Sequence, residues 1–385
     1  MTRIGIYPGV FDPVHVGHLK TLQAVSEEYG LQRLIIVPAG NTPNKGLISD
    51  SCSHERWKLL SLALEENTSA SACSIEINSN SCSYTADTID HIRSQYANAK
   101  LYLIMGEDNL VNLHQWYRSD FILENTTIIA IRRSMQPREL SHQLPAHSNI
   151  LISDAVADIS SSKIRLDFAS GISVSSFVAS QYEDALYSFG VYLPTKLRSE
   201  IDYVRAHQKA SRFRHTIGVV KTSLKLASRF AIDSGIVMEA AYLHDIAKEL
   251  PSEYMRSCAA RVPSDLGNTT IDAVIHAPAG AVLAKELFSV SEEVYQAILL
   301  HCTLDVQMTL LDKIIYISDM VEPSRHYPAV IQLRQAFDSV QNEHDLDLLL
   351  ILAIELNICY ISSIGGIIHP ASLRALSLLK NKINL

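Results

Sequence analysis

The chain changes rhythm once, near Leu193-Pro194, and that break constrains its fold more than any other feature. Before it, short apolar runs alternate with helical periodicity. Arg33 to Val37, Lys100 to Met105 and Thr127 to Ile131 read as buried parallel strands, each followed by a loop rich in Gly, Pro or Asn. Between them, His18 to Tyr29 and His54 to Leu64 have the spacing of amphipathic helices. This repetition predicts an α/β doubly wound, Rossmann-like domain over residues 1–193, with ligands at the carboxyl ends of the strands. After the break the strand signals stop. Arg214 to Phe230, Ile236 to Leu250, Ser291 to His301, Leu310 to Val321 and Leu346 to Tyr360 predict an all-α helical bundle over residues 194–385.

A length of 385 residues is enough for two cores. The formal charge of -8, with no basic stripe, argues against a nucleic-acid partner. Six cysteines without a Cys-x-x-Cys pair argue against zinc ribbons and disulfide scaffolds, and fit a reducing cytoplasm. The N-terminus runs straight into Ile4-Gly5-Ile6-Tyr7 without a secretory pattern. The most apolar stretch, Leu348 to Ile354, is bracketed by Asp347 and Glu355 and reads as a buried helix too short for a bilayer, so no membrane partner is expected. A homo-oligomer is left open.

After the first strand comes Tyr7-Pro8-Gly9-Val10-Phe11-Asp12-Pro13-Val14-His15-Val16-Gly17-His18-Leu19. Gly9 and Gly17 would let the backbone approach a ligand, and His15 and His18 share one side of a turn entering a helix. Such a helix start offers amide donors and partial positive charge to phosphate oxygens, and imidazoles can stabilise charge on a departing pyrophosphate. Two histidines alone would more often be structural; the whole string is more specific. It resembles the nucleotidyltransferase superfamily marked by His-x-Gly-His. Ile159-Ser160-Ser161-Ser162-Lys163-Ile164-Arg165 is similar to that superfamily's second signature, a serine-capped helix start that grips ATP phosphates.

Tyr7-Pro8-Gly9 has a likeness to phosphopantetheine adenylyltransferase. The middle of the domain is closer to nicotinate-nucleotide adenylyltransferase: Met105-Gly106-Glu107-Asp108-Asn109-Leu110, Leu113-His114-Gln115-Trp116, Ser83-Tyr84-Thr85-Ala86-Asp87-Thr88, and Pro43-Asn44-Lys45 with Arg56. That resemblance implies transfer of adenylyl from ATP, with Mg²⁺, to nicotinate mononucleotide. It implies His15, His18, Lys45 and Arg165 in catalysis, and Gly9, Phe11, Gly106, Ser160 and Ser161 around the nucleotides. Trp116 would stack on the pyridine ring, Tyr84 and Thr85 would orient its carboxylate, Asp108 would bind ribose hydroxyls, and Lys45 and Arg132 would neutralise phosphate. Phosphopantetheine and nicotinamide mononucleotide stay open as acceptors. Glu107 departs from the small residue usual at its position.

The helical half carries Tyr242-Leu243-His244-Asp245-Ile246-Ala247-Lys248 within an apolar helix. A histidine and an aspartate side by side there are costly to bury without a partner, and a metal ion is an efficient one. Further candidates follow in order: His215, His276, His301 and Asp319. Each histidine alone is more often structural; the set is a strong signal. The constellation resembles the HD-domain phosphohydrolases, and most closely the bacterial branch that splits diadenosine tetraphosphate into two ADP, with Leu311 to Arg325 the most specific stretch. The resemblance implies two metals, iron or manganese, held by His215, His244, Asp245, His276, His301 and Asp319, with Asp245 bridging and acting in catalysis. Lys248 and Arg325 are expected to clamp phosphate. Where the family usually reads Thr-Thr-Gly after the fourth histidine, this chain has Cys302-Thr303-Leu304-Asp305, and the lost glycine is expected to narrow the cleft or alter its selectivity. A nucleotide-sensing or scaffolding module, or a different phosphohydrolase role, is the alternative.

Overall fold

The computed structural model describes residues 1–40, 53–65, 70–79, 82–110, 112–132, 149–154, 159–178 and 180–383. The chain divides into two compact units, Met1–Phe168 with Val174–Leu186, and Ala169–Ser173 with Tyr187–Leu385.

The first unit runs β1 (Arg3–Gly9), α1 (Val16–Tyr29), β2 (Arg33–Pro38), α2 (Ser53–Leu64), β3 (Ala70–Ala72), α3 (Thr85–Gln95), β4 (Lys100–Gly106), α4 (Glu107–Leu110), α5 (Ser119–Asn125), β5 (Thr127–Ile131), β6 (Ile150–Ser153), α6 (Ser161–Ala169) and α7 (Ser180–Phe189). All strands pair in parallel, in the order β3-β2-β1-β4-β5-β6. The order reverses between β1 and β4, so the crevice for ligands opens beyond their carboxyl ends, where Tyr7–Leu19 and Gly106–Leu110 begin. The expected α/β doubly wound sheet is the one observed. Its central strands read as apolar runs because both faces are covered: Ile6, Ile36, Leu103, Ile104, Ile128 and Ile129 are fully buried. Each such side chain contributes about 1.5–3 kcal/mol of burial. The edge strands β3 and β6 were not anticipated; Ala70–Ala72 and Ile150–Ser153 are short and only partly buried.

The second unit is helical: α8 (Thr195–His207), α9 (Ala210–Ala227), α10 (Ser234–Leu243), α11 (Ser252–Ala259), α12 (His276–Phe288), α13 (Glu292–Leu300), α14 (Leu310–Val321), α15 (Val330–Ser339), α16 (Glu343–Ser363) and α17 (Pro370–Lys382). Two expectations need correction. The helix expected over Ile236 to Leu250 ends at Leu243, and the chain then tightens: the amides of Ile246, Lys248 and Leu250 each bond the carbonyl three residues back at 3.0 Å. His244 and Asp245 therefore sit just past a helix end. Secondly, the apolar stretch at Leu348 belongs to a 21-residue helix, long and apolar enough by composition to span a membrane. Its N-terminal half is core, with Leu346, Leu350 and Ile354 buried, and its Asp347 carboxylate is paired with Lys313 and Lys382 at 2.5 and 2.7 Å.

Candidate functional site

In the first unit, two helix starts meet at one turn. His15 caps α1, and the cap is reciprocal: the His18 amide donates to His15 Nδ1, and the His15 amide to His18 Nδ1, each at 3.3 Å. The rings stack at 3.7 Å between centroids. Capping engages Nδ1 of both rings, so any role toward phosphate falls to Nε2. Burial lowers the His15 imidazole to about 4, so it is neutral near pH 7. At the start of α6, Ser161 Oγ donates to the Pro13 carbonyl at 3.0 Å, and Arg165 Nη1 to the Asp12 carbonyl at 2.7 Å. His15, His18, Ser161 and Arg165 thus gather on the Asp12-Pro13 turn, across sequence separations of 148 and 153 residues, with Ser160 immediately before α6.

A Cβ at Gly9 would lie 2.9–3.3 Å from the Phe11 ring, so this glycine makes room for Phe11. Phe11, with φ of 52°, holds its ring edge-on to Tyr7 and His18. Arg56 was noted only as part of a resemblance. It is buried and donates to the Val10 and Ala39 carbonyls, both at 2.8 Å, which ties the ends of β1 and β2 together.

On the β4 side, Gly106 closes the strand and Asp108 is exposed on α4. Tyr84 precedes α3, beside Thr85, and packs on Tyr117 with centroids 4.6 Å apart. Trp116 is partly buried against the core cluster that includes Leu113 and Ile122, so packing is at least part of its role. Arg132 is already matched by acids: Nη1 lies 2.7 Å from Asp154 and Nε 3.9 Å from the buried Glu107. Glu107, which stands in place of a small residue, thus lies within ion-pair reach of Arg132. Lys45 lies outside the described residues.

In the second unit, all six expected ligands converge. Asp245 is central and two-faced. Its Oδ2 faces His215 Nε2 at 3.7 Å and His244 Nε2 at 3.5 Å, while Oδ1 faces His276 Nε2 at 3.2 Å and His301 Nε2 at 3.7 Å. Asp319 Oδ1 completes the first face, 3.1 Å from His215 Nε2. Most of the cluster stands at helix C-termini: His244 caps α10 with Asp245 next to it, His301 caps α13, and Asp319 is in the last turn of α14, whereas His276 opens α12 and His215 lies within α9. Carbonyls left free there carry partial negative charge suited to cations. Two of them also set ring orientation, since His244 Nδ1–H donates to Ala241 O at 2.7 Å and His301 Nδ1–H to Ile298 O at 2.8 Å. His215 Nδ1–H donates to Glu322 at 2.9 Å. With Nδ1 of each ring bonded outward, the Nε2 atoms of His215 and His244 face each other at 3.4 Å. Imidazole nitrogens and two carboxylates aimed at one buried space are a donor set that fits a metal pair.

The acids stay ionised. Burial would raise Asp245 and Asp319, but the neighbouring imidazoles, and for Asp319 also Arg325, outweigh it and hold both well below the usual carboxylate range. Arg325 grips Asp319 through its carboxylate and, at 2.9 Å, its carbonyl. It therefore positions a ligand, a role not anticipated beside the expected phosphate clamp. Lys248 Nζ is 3.1 Å from both nitrogens of His276.

Three contributors escaped the sequence reading. Glu322 is buried and orients His215, and Gly218 admits it: a Cβ there would be 2.4 Å from Glu322 Oε2. Arg212 donates to Asp245 Oδ2 at 2.9 Å. Cys302 places Sγ 3.2 Å from His276 Nε2 and 3.3 Å from His301 Nε2; burial would raise its thiol, but those two histidines bring it down to about 5. Leu304 takes the left-handed conformation, φ 55°, that favours glycine, and its side chain is fully buried. Asp305 binds Arg374 of α17 at 2.6 and 2.9 Å.

A doubly wound sheet with a His-x-Gly-His helix start, followed by helices converging on a His/Asp cluster, defines a nucleotidyltransferase domain joined to an HD domain. Residues 6–166 match the Cytidylyltransferase-like family and residues 212–324 the HD domain family. A Neisseria meningitidis protein described as a probable nicotinate-nucleotide adenylyltransferase is 33% identical over 44% of this chain and 89% of its own length. By its first half the chain belongs to the nicotinate-nucleotide adenylyltransferase family. A Mycoplasma genitalium protein, described as a probable nicotinate-nucleotide adenylyltransferase/Ap4A hydrolase, is 26% identical over 84% of this chain and 88% of its own. A solved Clostridium acetobutylicum structure, described as a predicted HD superfamily hydrolase involved in NAD metabolism, is 30% identical and covers 48% of this chain and 96% of its own, with a TM-score of 0.42.

Proposed function

We propose that the chain is a bifunctional enzyme. Residues 1–193 transfer adenylyl from ATP to nicotinate mononucleotide, and residues 194–385 hydrolyse diadenosine tetraphosphate to two ADP. The observation that carries the first activity is the meeting of the α1 and α6 starts on the Asp12-Pro13 turn. A mononucleotide phosphate oxygen attacks the α-phosphorus of ATP, the bond to the β-phosphate breaks, and pyrophosphate leaves. ATP enters as its Mg²⁺ complex. His15, His18 and Arg165 need only position and stabilise, because this chemistry requires no covalent intermediate. Lys45, Gly106, Asp108, Tyr84, Thr85 and Trp116 are proposed to complete the pocket.

In the second half, His215, His244, Asp245, His276, His301 and Asp319 would hold two ions, iron or manganese. Ions so placed polarise phosphate oxygens and activate water. Asp245 and Asp319 supply the anionic charge, Glu322 and the helix carbonyls fix the imidazoles, and Lys248 with Arg325 adds positive charge beside the cluster. The match of a two-part relative over most of the chain supports the pairing of activities. The five described cysteines are free thiols, which suits a cytoplasmic setting.

The test is one preparation and two assays, resolved by chromatography. Nicotinate mononucleotide with ATP is expected to give nicotinate adenine dinucleotide and pyrophosphate, in preference to nicotinamide mononucleotide or phosphopantetheine. Diadenosine tetraphosphate is expected to give two ADP in the metal-loaded protein. Preference for another acceptor, or ATP and AMP as hydrolysis products, would overturn the respective half.

A further inference from the structure

The donors on the Oδ1 face of Asp245 differ in kind from those on the Oδ2 face. We propose that Cys302 is a metal ligand, so that His276, His301, Cys302 and Asp245 form a mixed nitrogen–sulfur–oxygen pocket unlike its neighbour. The proposal rests on the metal-centre reading above.

Distances support it. An ion bound tetrahedrally at ~2.05 Å to nitrogen and ~2.3 Å to sulfur sets its ligands ~3.3 Å apart for a nitrogen pair and ~3.6 Å apart for nitrogen and sulfur. Here His276 Nε2 and His301 Nε2 are 3.2 Å apart, and Cys302 Sγ is 3.2 and 3.3 Å from them. Asp245 Oδ1 stands 3.2 and 3.7 Å from the same nitrogens. The two nitrogens and the sulfur thus already hold the edge lengths of a small coordination shell, to within a few tenths of an ångström, with Asp245 Oδ1 beside both nitrogens.

The orientation of the donors suits a shared ion. His301 directs Nδ1 to the Ile298 carbonyl and so turns Nε2 toward Cys302 Sγ and Asp245 Oδ1. The sulfur and Asp245 Oδ1 both face the His276 and His301 Nε2 atoms. The backbone holds the sulfur in place, because the chain turns immediately after it: the Leu304 amide bonds Leu300 O at 2.8 Å, and Leu304 takes its left-handed conformation. The other face, His215, His244, Asp245 Oδ2 and Asp319, offers nitrogen and oxygen only. Thiolate favours thiophilic ions such as zinc and disfavours manganese and magnesium, so the two pockets are expected to differ in metal preference.

The experiment uses the full chain, stripped by chelation and reloaded with Co²⁺. Bound cobalt is counted by mass spectrometry and the near-ultraviolet spectrum is recorded. Wild type is expected to show a thiolate-to-cobalt charge-transfer band, and Cys302→Ser to lose it while still binding cobalt. In competition between zinc and manganese, Cys302→Ser is expected to lower the zinc share. Cobalt bound without the band, or a band that persists in Cys302→Ser, would overturn the sulfur ligand and leave the metal centre standing. No cobalt bound by wild type would overturn the centre itself. If Cys302→Ser does not fold, X-ray absorption of the wild-type zinc form decides: a sulfur scatterer at ~2.3 Å is expected, and a shell of nitrogen and oxygen only overturns the proposal.

Discussion

The two sites use opposite ends of helices. In the α/β unit, the N-termini of α1 and α6 converge, with capping imidazoles and serines, on a place suited to phosphate. In the helical unit, the C-termini of α10, α13 and α14 converge, with carboxylates and carbonyl-anchored imidazoles, on a place suited to cations. Each site thus adds side chains whose charge has the same sign as the partial charge of the helix ends there, Arg165 in the first and Asp245 and Asp319 in the second, so that both attract one kind of ligand. Histidine serves in both, but in different states. His15 is neutral and its Nδ1 is tied to main chain, whereas the second-site rings are oriented so that Nε2 faces the cluster. Nearby groups, more than residue type, decide what an imidazole does.

Asp245→Ala tests the separation most severely. It removes an oxygen from each face of the cluster, so hydrolysis and bound metal should both fall to background while adenylyl transfer is unchanged, as measured by product chromatography and metal analysis. Loss of both activities would mean that the sites are not independent. His18→Ala is the converse. We expect kcat for adenylyl transfer to fall on the order of 10²–10³ fold with little change in KM, and hydrolysis to persist. An unchanged kcat would show that His18 is only a cap.

A smaller effect concerns pH. The folded state lowers His15 from 6.5 to about 4, so stability is full above 6.5 and is lost as pH falls toward 4, where the unfolded chain takes up a proton first. Over that window the loss is at most about 3 kcal/mol. Trp57 and Trp116 both lie in the α/β unit, so fluorescence-detected denaturation reports on it alone. His15→Asn, which can still cap, should flatten the curve between those values; an unaltered slope would place the titration elsewhere. The mildest change, Glu322→Gln, keeps the shape beside Gly218 and removes the charge behind His215. It should weaken metal affinity about 10–100-fold without unfolding the bundle, which metal titration and circular dichroism would check.

How much was legible follows the same division. The phosphate-side motifs are nearly contiguous, so His15, His18 and Ser160 to Arg165 could be read from the chain, and the central strands stood out because burial on both faces makes them apolar throughout. The edge strands β3 and β6 did not, since half-covered short segments lack that signature. In the helical unit the six ligands were readable only as an ordered set. Glu322 was not, because it becomes functional through a ring 107 residues away, and Cys302 carried no signal until the fold set it against two histidines. The helix end at Leu243 was hidden by the apolar run that crosses it.

The reciprocal cap at the start of α1 also couples two kinds of motion. The His15 amide is held by the His18 ring, so that ring cannot swing toward a ligand without releasing a main-chain proton, whereas the His18 amide keeps the His15 carbonyl at 2.9 Å. Hydrogen exchange at the His15 amide is therefore a clock for movement of the site: exchange should slow when a bound nucleotide locks the His18 ring, and quicken if turnover requires it to part from His15.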